Sequence, residues 1–236
     1  MSGKLYLVPN LLGAVAPETV LPARTIAIAR ELKHWVVETS KPARAFLKAL
    51  ELAQPIAELD IRQLDAQPGG KALNEWLAPA VRGEDIGLLS DAGCPGIADP
   101  GAPLIAAAHG AGIQVVPLVG PSAILLALMA SGMNGQSFAF HGYLPVRPEQ
   151  RTRHLRVLDD AVATTGQTQL FIETPYRNQA MIATVLACCR PATRFAVAAD
   201  LTTSTEWIRS VPVATWRATL PPILDKRPAI FLLGKS

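Results

Sequence analysis

The sequence predicts an α/β protein of two lobes, because short apolar runs of strand length alternate with helical stretches along the chain. The runs in the first half are apolar on both faces, which is typical of buried strands in a parallel sheet. Half of the 236 residues are hydrophobic and 17% are charged, and this composition excludes a disordered chain. We place the lobes at residues 1–118 and 119–236, with the change near Pro117–Gly135.

The first lobe is expected to alternate strands and helices in the manner of βαβ units. Its strands are predicted at Lys4–Val8, Trp35–Glu38, Ile86–Leu89 and Gln114–Leu118. Its helices are predicted at Leu21–Lys33, Arg44–Leu52, Lys71–Arg82 and Leu104–Gly110.

A long apolar helix, Ser122–Ser131, is predicted to join the two lobes. The strands of the second lobe are expected at Phe138–His141, Gln169–Glu173, Arg194–Ala199, Trp207–Ser210 and Ala229–Leu233. Its further helices are expected at Glu149–Ala161 and Gln179–Cys189. The Pro- and Arg-rich segment GYLPVRPEQR is predicted to form a surface loop before the first of these helices.

Several familiar sites are excluded by their missing motifs. The sequence has no GxGxxG or GxxxxGK[ST] motif, and no HExxH, CxxC or GxSxG. A lone Cys94 and the adjacent Cys188 and Cys189 make neither a disulfide framework nor a metal site. Histidines such as His34 are isolated and are expected on helix surfaces or at helix ends. We therefore predict no metal.

Charge and hydropathy also bear on location and partners. No apolar run reaches the roughly 18 residues of a membrane span, and the apolar stretch before Pro9 is too short for a signal peptide. The expected location is therefore the cytoplasm, without a membrane partner. A net charge of +3 permits a nucleic-acid partner but does not require one.

The loop Ser90–Gly101 follows a predicted strand and combines three Gly, two Pro and two Asp. Gly permits positive φ and close backbone approach, and Pro stiffens the chain. A rigid loop at the carboxyl end of a parallel strand is where α/β proteins bind ligands. Asp91 and Asp99 can accept hydrogen bonds there. The alternative for Asp99 is a helix cap, with Pro100 as the first helical residue.

Two more loops follow predicted strands. In Leu118–Ala123, Ser122 either caps the next helix or joins the free N–H groups of the helix start in holding a ligand oxygen. In Phe171–Arg177, the polar residues Glu173, Tyr176 and Arg177 share a tight turn, where Arg177 can instead pair with Glu173. All three loops can open on one crevice.

Six segments spread over nearly the whole chain carry a family resemblance. They are LYLVP at Leu5–Pro9, LLSDAGCPGIADPG at Leu88–Gly101, GIQVVPLVGPSA at Gly112–Ala123, ASGMNGQSFAFHGYLP at Ala130–Pro145, FIETPYR at Phe171–Arg177 and KRPAIFLLG at Lys226–Gly234. On these segments the sequence resembles the tetrapyrrole methylase superfamily of two-lobed methyltransferases. Within it, the chain looks like a short form of the branch that methylates ribose 2′-hydroxyls of small-subunit ribosomal RNA.

The resemblance implies a cofactor, a fold and an assembly. The cofactor would be S-adenosyl-L-methionine, bound folded in the cleft between the lobes, and the protein would be a homodimer. Position by position, the resemblance implies cofactor contacts at Leu12, Cys94, Ile97, Ser122, Ala123, Ile172 and Ala229. Most of these contacts would be made by backbone groups.

Methyl transfer from a sulfonium is an in-line displacement, so the protein mainly positions the two reactants and excludes water. A ribose hydroxyl is a poor nucleophile, so a general base is expected. The candidates are Asp91 and Glu173, with Tyr176 third, and the sequence does not choose among them.

Other functions stay open on the sequence alone. They are methylation of a small molecule such as a tetrapyrrole, a non-catalytic cofactor-binding dimer, and a plain nucleotide-binding α/β domain. The basic run Arg147, Arg151, Arg153, His154 and Arg156 favours ribosomal RNA or the small ribosomal subunit as partner. The alternative interpretation of that run is a solvated helix face.

Overall fold

The computed structural model describes residues 2–52, 54–65, 68–219 and 223–235. The chain divides into two compact units, Met1–Ser122 and Ala123–Ser236. Each unit contains a five-stranded sheet together with helices. The predicted α/β class with two lobes is confirmed.

The first unit is a parallel sheet with helical connections. Its strands are β1 (Lys4–Val8), β2 (His34–Val37), β3 (Asp60–Gln63), β4 (Ile86–Leu89) and β5 (Gln114–Pro117). Its helices are α1 (Ala23–Glu31), α2 (Ser40–Ala49), α3 (Gly70–Val81) and α4 (Ala102–Gly110). The strand order is β3-β2-β4-β1-β5, and every pair is parallel.

Both faces of this sheet are covered, as the apolar strand composition indicates. Trp35 and Val37 belong to one buried apolar cluster, whereas Val36 between them belongs to another. Successive side chains of a strand point to opposite faces, so the two clusters lie on opposite sides of the sheet. Leu88 and Leu89 divide between the clusters in the same way.

Strand β3 and the start of β2 differ from the sequence prediction. Strand β3 was not expected, because DIRQ is short, mostly polar and lies at the sheet edge. It pairs with β2, and Asp60 accepts a hydrogen bond from His34 at 3.1 Å. His34 therefore begins a strand and not a helix end, and its other ring nitrogen lies 3.4 Å from Glu84.

The second unit is a mixed sheet. Its helices are α5 (Ala123–Ser131), α6 (Pro148–Thr165), α7 (Asn178–Cys188) and α8 (Val213–Arg217). Its strands are β6 (Phe138–Tyr143), β7 (Thr168–Ile172), β8 (Arg194–Ala199), β9 (Trp207–Pro212) and β10 (Ala229–Gly234). The strand order is β6-β7-β10-β8-β9, in which β6 and β7 are parallel and the other pairs are antiparallel.

The core of the second unit lies between α6, α7 and one face of its sheet. Phe171 stacks on Phe231 with ring centroids 5.7 Å apart, and Phe195 packs against Trp216 at 5.4 Å. The Trp216 indole donates to the Phe195 carbonyl at 2.8 Å. This buried contact fixes α8, the short helix that the sequence analysis missed, against the sheet.

Helix α6 is amphipathic and ends at a glycine. Arg151, Leu155, Leu158 and Val162 are buried at helical spacing. Gly166 follows the helix with φ of 70°, and its N–H donates to the Val162 carbonyl at 3.0 Å, a left-handed cap that glycine favours. Within the described ranges, no helix has the length and apolar character needed to cross a membrane.

Candidate functional site

The four loops that follow β1, β2, β4 and β5 lie at one edge of the first sheet. The parallel register sets Val8 beside Leu89 and Leu89 beside Val37, so the carboxyl ends of these strands meet. The loops carry the predicted residues Leu12, Asp91, Cys94, Ile97 and Ser122, which all belong to the first unit. The third loop of the sequence prediction, Phe171–Arg177, belongs to the second unit.

Asn10 ties the loop after β1 to the loop after β4. Its backbone N–H donates to the Gly93 carbonyl at 2.8 Å. Its side-chain amide donates to the carbonyls of Ser90 at 2.9 Å and Asp91 at 3.0 Å. Asn10 is 5% exposed, so these hydrogen bonds are shielded from water. The sequence analysis missed this residue, because a single Asn after a strand gives no distinctive signal.

The loop after β5 is packed against the other two. A Cβ placed on Gly120 would lie 2.2 Å from the Pro9 ring, so only glycine fits at this position. The Cys94 thiol lies 3.5 Å from the Pro121 carbonyl, in the geometry of a weak hydrogen bond. A Cβ on Gly93 would meet the Leu12 side chain at 3.4 Å. Leu12 and Cys94 are thus brought close to one glycine.

Asp99 does not cap a helix, so that interpretation of the residue was wrong. Helix α4 begins at Ala102 after Gly101, whose φ is 131°, and it has no side-chain cap. Pro103, in place of the expected Pro100, stands in its first turn. A glycine at the helix entry lets the chain turn sharply, and this frees the Asp99 carboxyl for other contacts.

Three carboxylates follow β2 and β4. Burial, the charge of Glu38 and, more weakly, the charge of Asp91 raise the pKa of Asp99 to about 6, while the nearby Ser90 hydroxyl partly opposes this shift. The Glu38 carboxylate accepts the backbone N–H of Asp91 at 3.0 Å, which holds the two loops together. This edge of the sheet therefore carries a concentrated negative charge.

The remaining predicted residues of the first unit differ in exposure. Ile97 is 51% exposed and its backbone N–H closes a turn onto the Cys94 carbonyl at 3.2 Å. Ser122 is buried and directly precedes α5. Burial and the nearby Asp99 raise the pKa of the Cys94 thiol, so this cysteine stays a neutral thiol at pH 7.

In the second unit, the predicted Ile172 and Ala229 lie at one edge of the mixed sheet. Ile172 ends β7 opposite Ile230, the neighbour of Ala229 at the start of β10. Ala123 is the first residue of α5.

Glu173 and Arg177 form the ion pair that the sequence analysis weighed as a structural alternative. Arg177 Nε donates to Glu173 Oε1 at 2.9 Å, and Arg177 Nη2 donates to the same oxygen. The backbone N–H of Thr174 also donates to this oxygen, at 2.7 Å. The Glu173 side chain is fully buried, whereas Tyr176 in the same turn is 76% exposed.

The predicted basic run begins at Arg147, directly before α6, and continues along that helix, and only some of its side chains are exposed. Arg147, Arg153 and Arg156 are exposed, and His154 is half-buried. Arg151 is 6% exposed and its Nε donates to the Thr184 hydroxyl at 3.2 Å. Arg151 faces the core because it shares the helical spacing of the buried leucines, so its assignment to an RNA-binding surface was wrong.

The described residues contain no group of three or more His, Cys, Asp or Glu placed to hold a metal ion. Cys94, Cys188 and Cys189 are free thiols.

Comparison with known proteins identifies the family. The family model for Tetrapyrrole (Corrin/Porphyrin) Methylases matches residues 4–216. The chain is 37% identical over 217 residues to "Ribosomal RNA small subunit methyltransferase I" of Vibrio cholerae, which covers 91% of this chain and 71% of that protein. It is 30% identical over 213 residues to the protein of the same name from Pseudomonas aeruginosa, covering 90% and 71%.

The match covers only part of each curated relative, and a solved methyltransferase structure shares the fold of this chain. The matches to these and similar curated relatives span from 56% to 80% of the relatives' own lengths. The crystal structure of the methyltransferase CobJ aligns with a TM-score of 0.65 and 20% identity, over 100% of this chain and 95% of that one. At this identity the likeness shows the fold alone. The extent of the family match and the identities to curated relatives show that the chain belongs to the tetrapyrrole methylase family and is a methyltransferase.

Proposed function

We propose that the chain transfers a methyl group from S-adenosyl-L-methionine to a ribose 2′-hydroxyl of small-subunit ribosomal RNA. The observation that carries the RNA part is the identity of 30% and 37% to relatives named for methylation of that RNA. The ribose hydroxyl as acceptor atom comes from the resemblance of the loop segments. Such an acceptor would place the reaction in the cytoplasm.

The charge at the carboxyl edge of the first sheet fits this cofactor. S-adenosylmethionine carries a sulfonium and an ammonium, and Glu38, Asp91 and Asp99 supply a negative field. Mutual repulsion of these carboxylates contributes to the raised pKa of Asp99. A cation bound near them would relieve that repulsion, so the edge is matched to a positive ligand.

The shape of the loops supports the same cofactor. Ile97 and Val119 are 51% and 72% exposed in the loops after β4 and β5, and they offer apolar surface for an adenine or a thioether chain. Leu12 and Cys94 lie near Gly93, where the chain turns with φ of 68°. Backbone groups of such a glycine-rich loop can approach a ligand closely.

The cofactor, when bound, supplies a methyl group already activated by the positive sulfur. The chain would hold the acceptor hydroxyl in line with that methyl group and exclude water. Of the two candidate bases, Asp91 is better suited to take the hydroxyl proton. Its side chain is exposed, whereas the Glu173 side chain is fully buried and its Oε1 already accepts hydrogen bonds from Arg177 and Thr174.

The exposed arginines of α6 support an RNA acceptor. Arg153 and Arg156 lie on α6 of the second unit, Arg147 directly precedes that helix, and all three are exposed. Among the residues that the structure describes, none of these three forms an ion pair. Free guanidinium groups bind phosphates through paired hydrogen bonds, as RNA backbone contacts require.

A homodimer belongs to the same proposal. Met129 and Leu125 of α5 are 78% and 49% exposed, and Tyr143 of the edge strand β6 is 60% exposed. Large apolar side chains at a sheet edge and on a helix are typical of an interaction surface. Light scattering over a micromolar range should give twice the chain mass, and a monomer mass throughout would contradict the dimer.

Methyl transfer to purified small subunits tests the proposal directly. The protein is mixed with methyl-labelled cofactor and subunits from a strain that lacks the gene, and the position of the label is mapped. We expect label on one ribose, and strongly reduced label with Asp91→Asn. If label enters a tetrapyrrole but not RNA, the proposed acceptor is wrong. If millimolar S-adenosyl-L-methionine does not change the melting temperature, the proposed cofactor is wrong.

A further inference from the structure

Three loops of the second unit meet at one edge of its mixed sheet. Strand β7 ends at Ile172, which pairs with Ile230 near the start of β10. Strand β8 ends at Ala199, which pairs with Ala229, the first residue of β10. The loop after β7, the loop after β8 and the loop before β10 therefore lie side by side.

Hydrogen bonds lock these loops to one another. The side-chain amide of Asn178 donates to the carbonyls of Leu224 at 2.9 Å and Arg227 at 2.7 Å. Arg227 Nε donates to Asp200 Oδ2 at 2.7 Å, and the Asp200 N–H donates to the Pro228 carbonyl at 3.0 Å. Loops fixed in this way keep their polar groups in place without a ligand.

Polar atoms at this edge are buried without hydrogen-bond partners. Among the described residues, four buried side-chain oxygens lack a partner, and three of them are Glu173 Oε2, Asn178 Oδ1 and Thr202 Oγ1. Glu173 is 4% exposed and Asn178 is fully buried. Buried polar atoms without partners are rare and costly, so a group from outside the chain is expected to supply the missing donors.

The charge of Glu173 defines what kind of donor is missing. Arg177 already pairs with Glu173 Oε1, so the carboxylate charge is balanced within the chain. A neutral N–H or O–H donor therefore suits Oε2 better than a second cation. Tyr176, three residues after Glu173, exposes an aromatic ring on which a base can stack.

We propose that Glu173 Oε2 accepts a hydrogen bond from the amino group or a hydroxyl of a bound nucleoside, beside the ring of Tyr176. Glu173 is then a positioning residue that orients a nucleoside, and it is not the base of the reaction. The inference rests on the proposed function, because both its cofactor and its RNA acceptor contain a nucleoside. The experiment below distinguishes these two sources.

Glu173→Gln is the sharpest test, because it keeps the shape of the side chain. Thr174 and Arg177 would hold the amide oxygen in the place of Oε1, since both donate hydrogen bonds there. The amide NH₂ would then stand where Oε2 stands and would oppose a ligand donor. Glu206→Gln is the matched control, since Glu206 is exposed on the neighbouring loop and its substitution removes the same charge.

Two affinities are measured for each variant, by calorimetry with S-adenosylhomocysteine and by filter binding with small-subunit RNA. We expect Glu173→Gln to weaken one of them about tenfold or more, as loss of a charge-assisted hydrogen bond does, while the other affinity holds. The unfolding midpoint should fall, because Arg177 loses the charge of its buried partner, so both affinities are measured where each variant is folded. A weakened first affinity assigns the nucleoside to the cofactor, and a weakened second assigns it to the acceptor. Tyr176→Ala, an exposed change that spares the fold, should weaken the same ligand.

The outcomes separate this inference from the proposed function. If the wild-type protein binds neither ligand, the proposed function fails and this assignment fails with it. If the wild-type protein binds both, and neither Glu173→Gln nor Tyr176→Ala changes either affinity, the inference alone is overturned. Should Glu173→Gln fail to fold, the result with Tyr176→Ala decides, because its side chain is exposed.

Discussion

Asn10 and Gly93 form an isolated bridge between two loops of the parallel sheet, with the Asn10 N–H 2.8 Å from the Gly93 carbonyl. Gly93 turns with φ of 68°, which a larger residue rarely adopts, and this directs its carbonyl toward Asn10. The Asn10 amide satisfies two more carbonyls of the same loop. One buried side chain therefore sets the path of the loop that carries Cys94 and Ile97.

Asn10→Ala should unfold this loop arrangement in part. The substitution leaves the carbonyls of Ser90 and Asp91 without their buried donor, which costs about 1–3 kcal/mol of unfolding free energy. Urea titration measures this loss, and calorimetry should show a weaker cofactor affinity. Asn74→Ala, at an exposed position of α3, is the control and should leave both quantities nearly unchanged. Equal behaviour of the two variants would contradict the role of Asn10.

Gly120→Ala should damage the contact between the loops after β1 and β5. The added Cβ would lie 2.2 Å from Cγ of Pro9, and a proline ring cannot rotate away, so the backbone must shift. Overpacking of this kind costs about 1–3 kcal/mol. Gly110→Ala is the control, because a Cβ there meets no atom within 4 Å. If Gly120→Ala and the control have the same melting temperature, the loop accommodates the added Cβ without loss of stability, which would contradict this prediction.

Strands such as β4 of the first unit were predictable because burial on both faces leaves an unbroken apolar run, whereas the mostly polar edge strand β3 was not. The sequence placed β4 at Ile86–Leu89 and β1 at Lys4–Val8, as the structure has them. The loop of Asp91 and Cys94 was also predictable, since Gly and Pro at that density are unusual. The partners of that loop were not, because Asn10 and Glu38 act through contacts between distant positions of the chain.

The sequence analysis did not predict the pairing direction of the strands in the second unit or the orientation of some side chains. The antiparallel pairing of β8, β9 and β10 depends on contacts between segments far apart, and apolar composition does not encode it. The sequence analysis placed Arg151 on the surface with the other arginines, but Arg151 shares the helical spacing of Leu155 and Leu158 and is buried. Asp99 looked like a helix cap because Asp-Pro is typical of helix starts, but the helix begins later.

Asp99→Asn should change the pH dependence of stability. Burial and the charge of Glu38 raise the pKa of Asp99 to about 6, so the native state binds more protons than the unfolded state between its ordinary value of 3.8 and 6. Stability contributed by this group therefore falls as pH rises through that window and is constant above it. The variant removes this loss. We expect the unfolding free energy of the variant to exceed that of the wild type by about 1 kcal/mol near pH 8 and to equal it near pH 4. The difference at pH 8 is reduced because Asp99 is partly exposed to solvent.

Urea titrations of both proteins at the two pH values measure this difference. Asp65→Asn, at an exposed position, controls for the loss of one negative charge. A stability gain of Asp99→Asn that is the same at both pH values would contradict the linkage, because an uncharged effect of the substitution has no reason to depend on pH.

Arg153→Ala combined with Arg156→Ala should weaken RNA binding in a salt-dependent way. Phosphate contacts release counterions, so each lost contact should lower the slope of log affinity against log salt by roughly 0.7–0.9. The double variant should therefore lose most affinity at low salt and approach the wild type at high salt, with cofactor affinity unchanged. Lys41→Ala combined with Lys48→Ala removes the same charge from exposed positions of the first unit and is the control. Equal slopes for the two double variants and the wild type would show that the arginines of α6 are a solvated helix face. Arg151 is left unchanged in this experiment, because its buried side chain supports the fold.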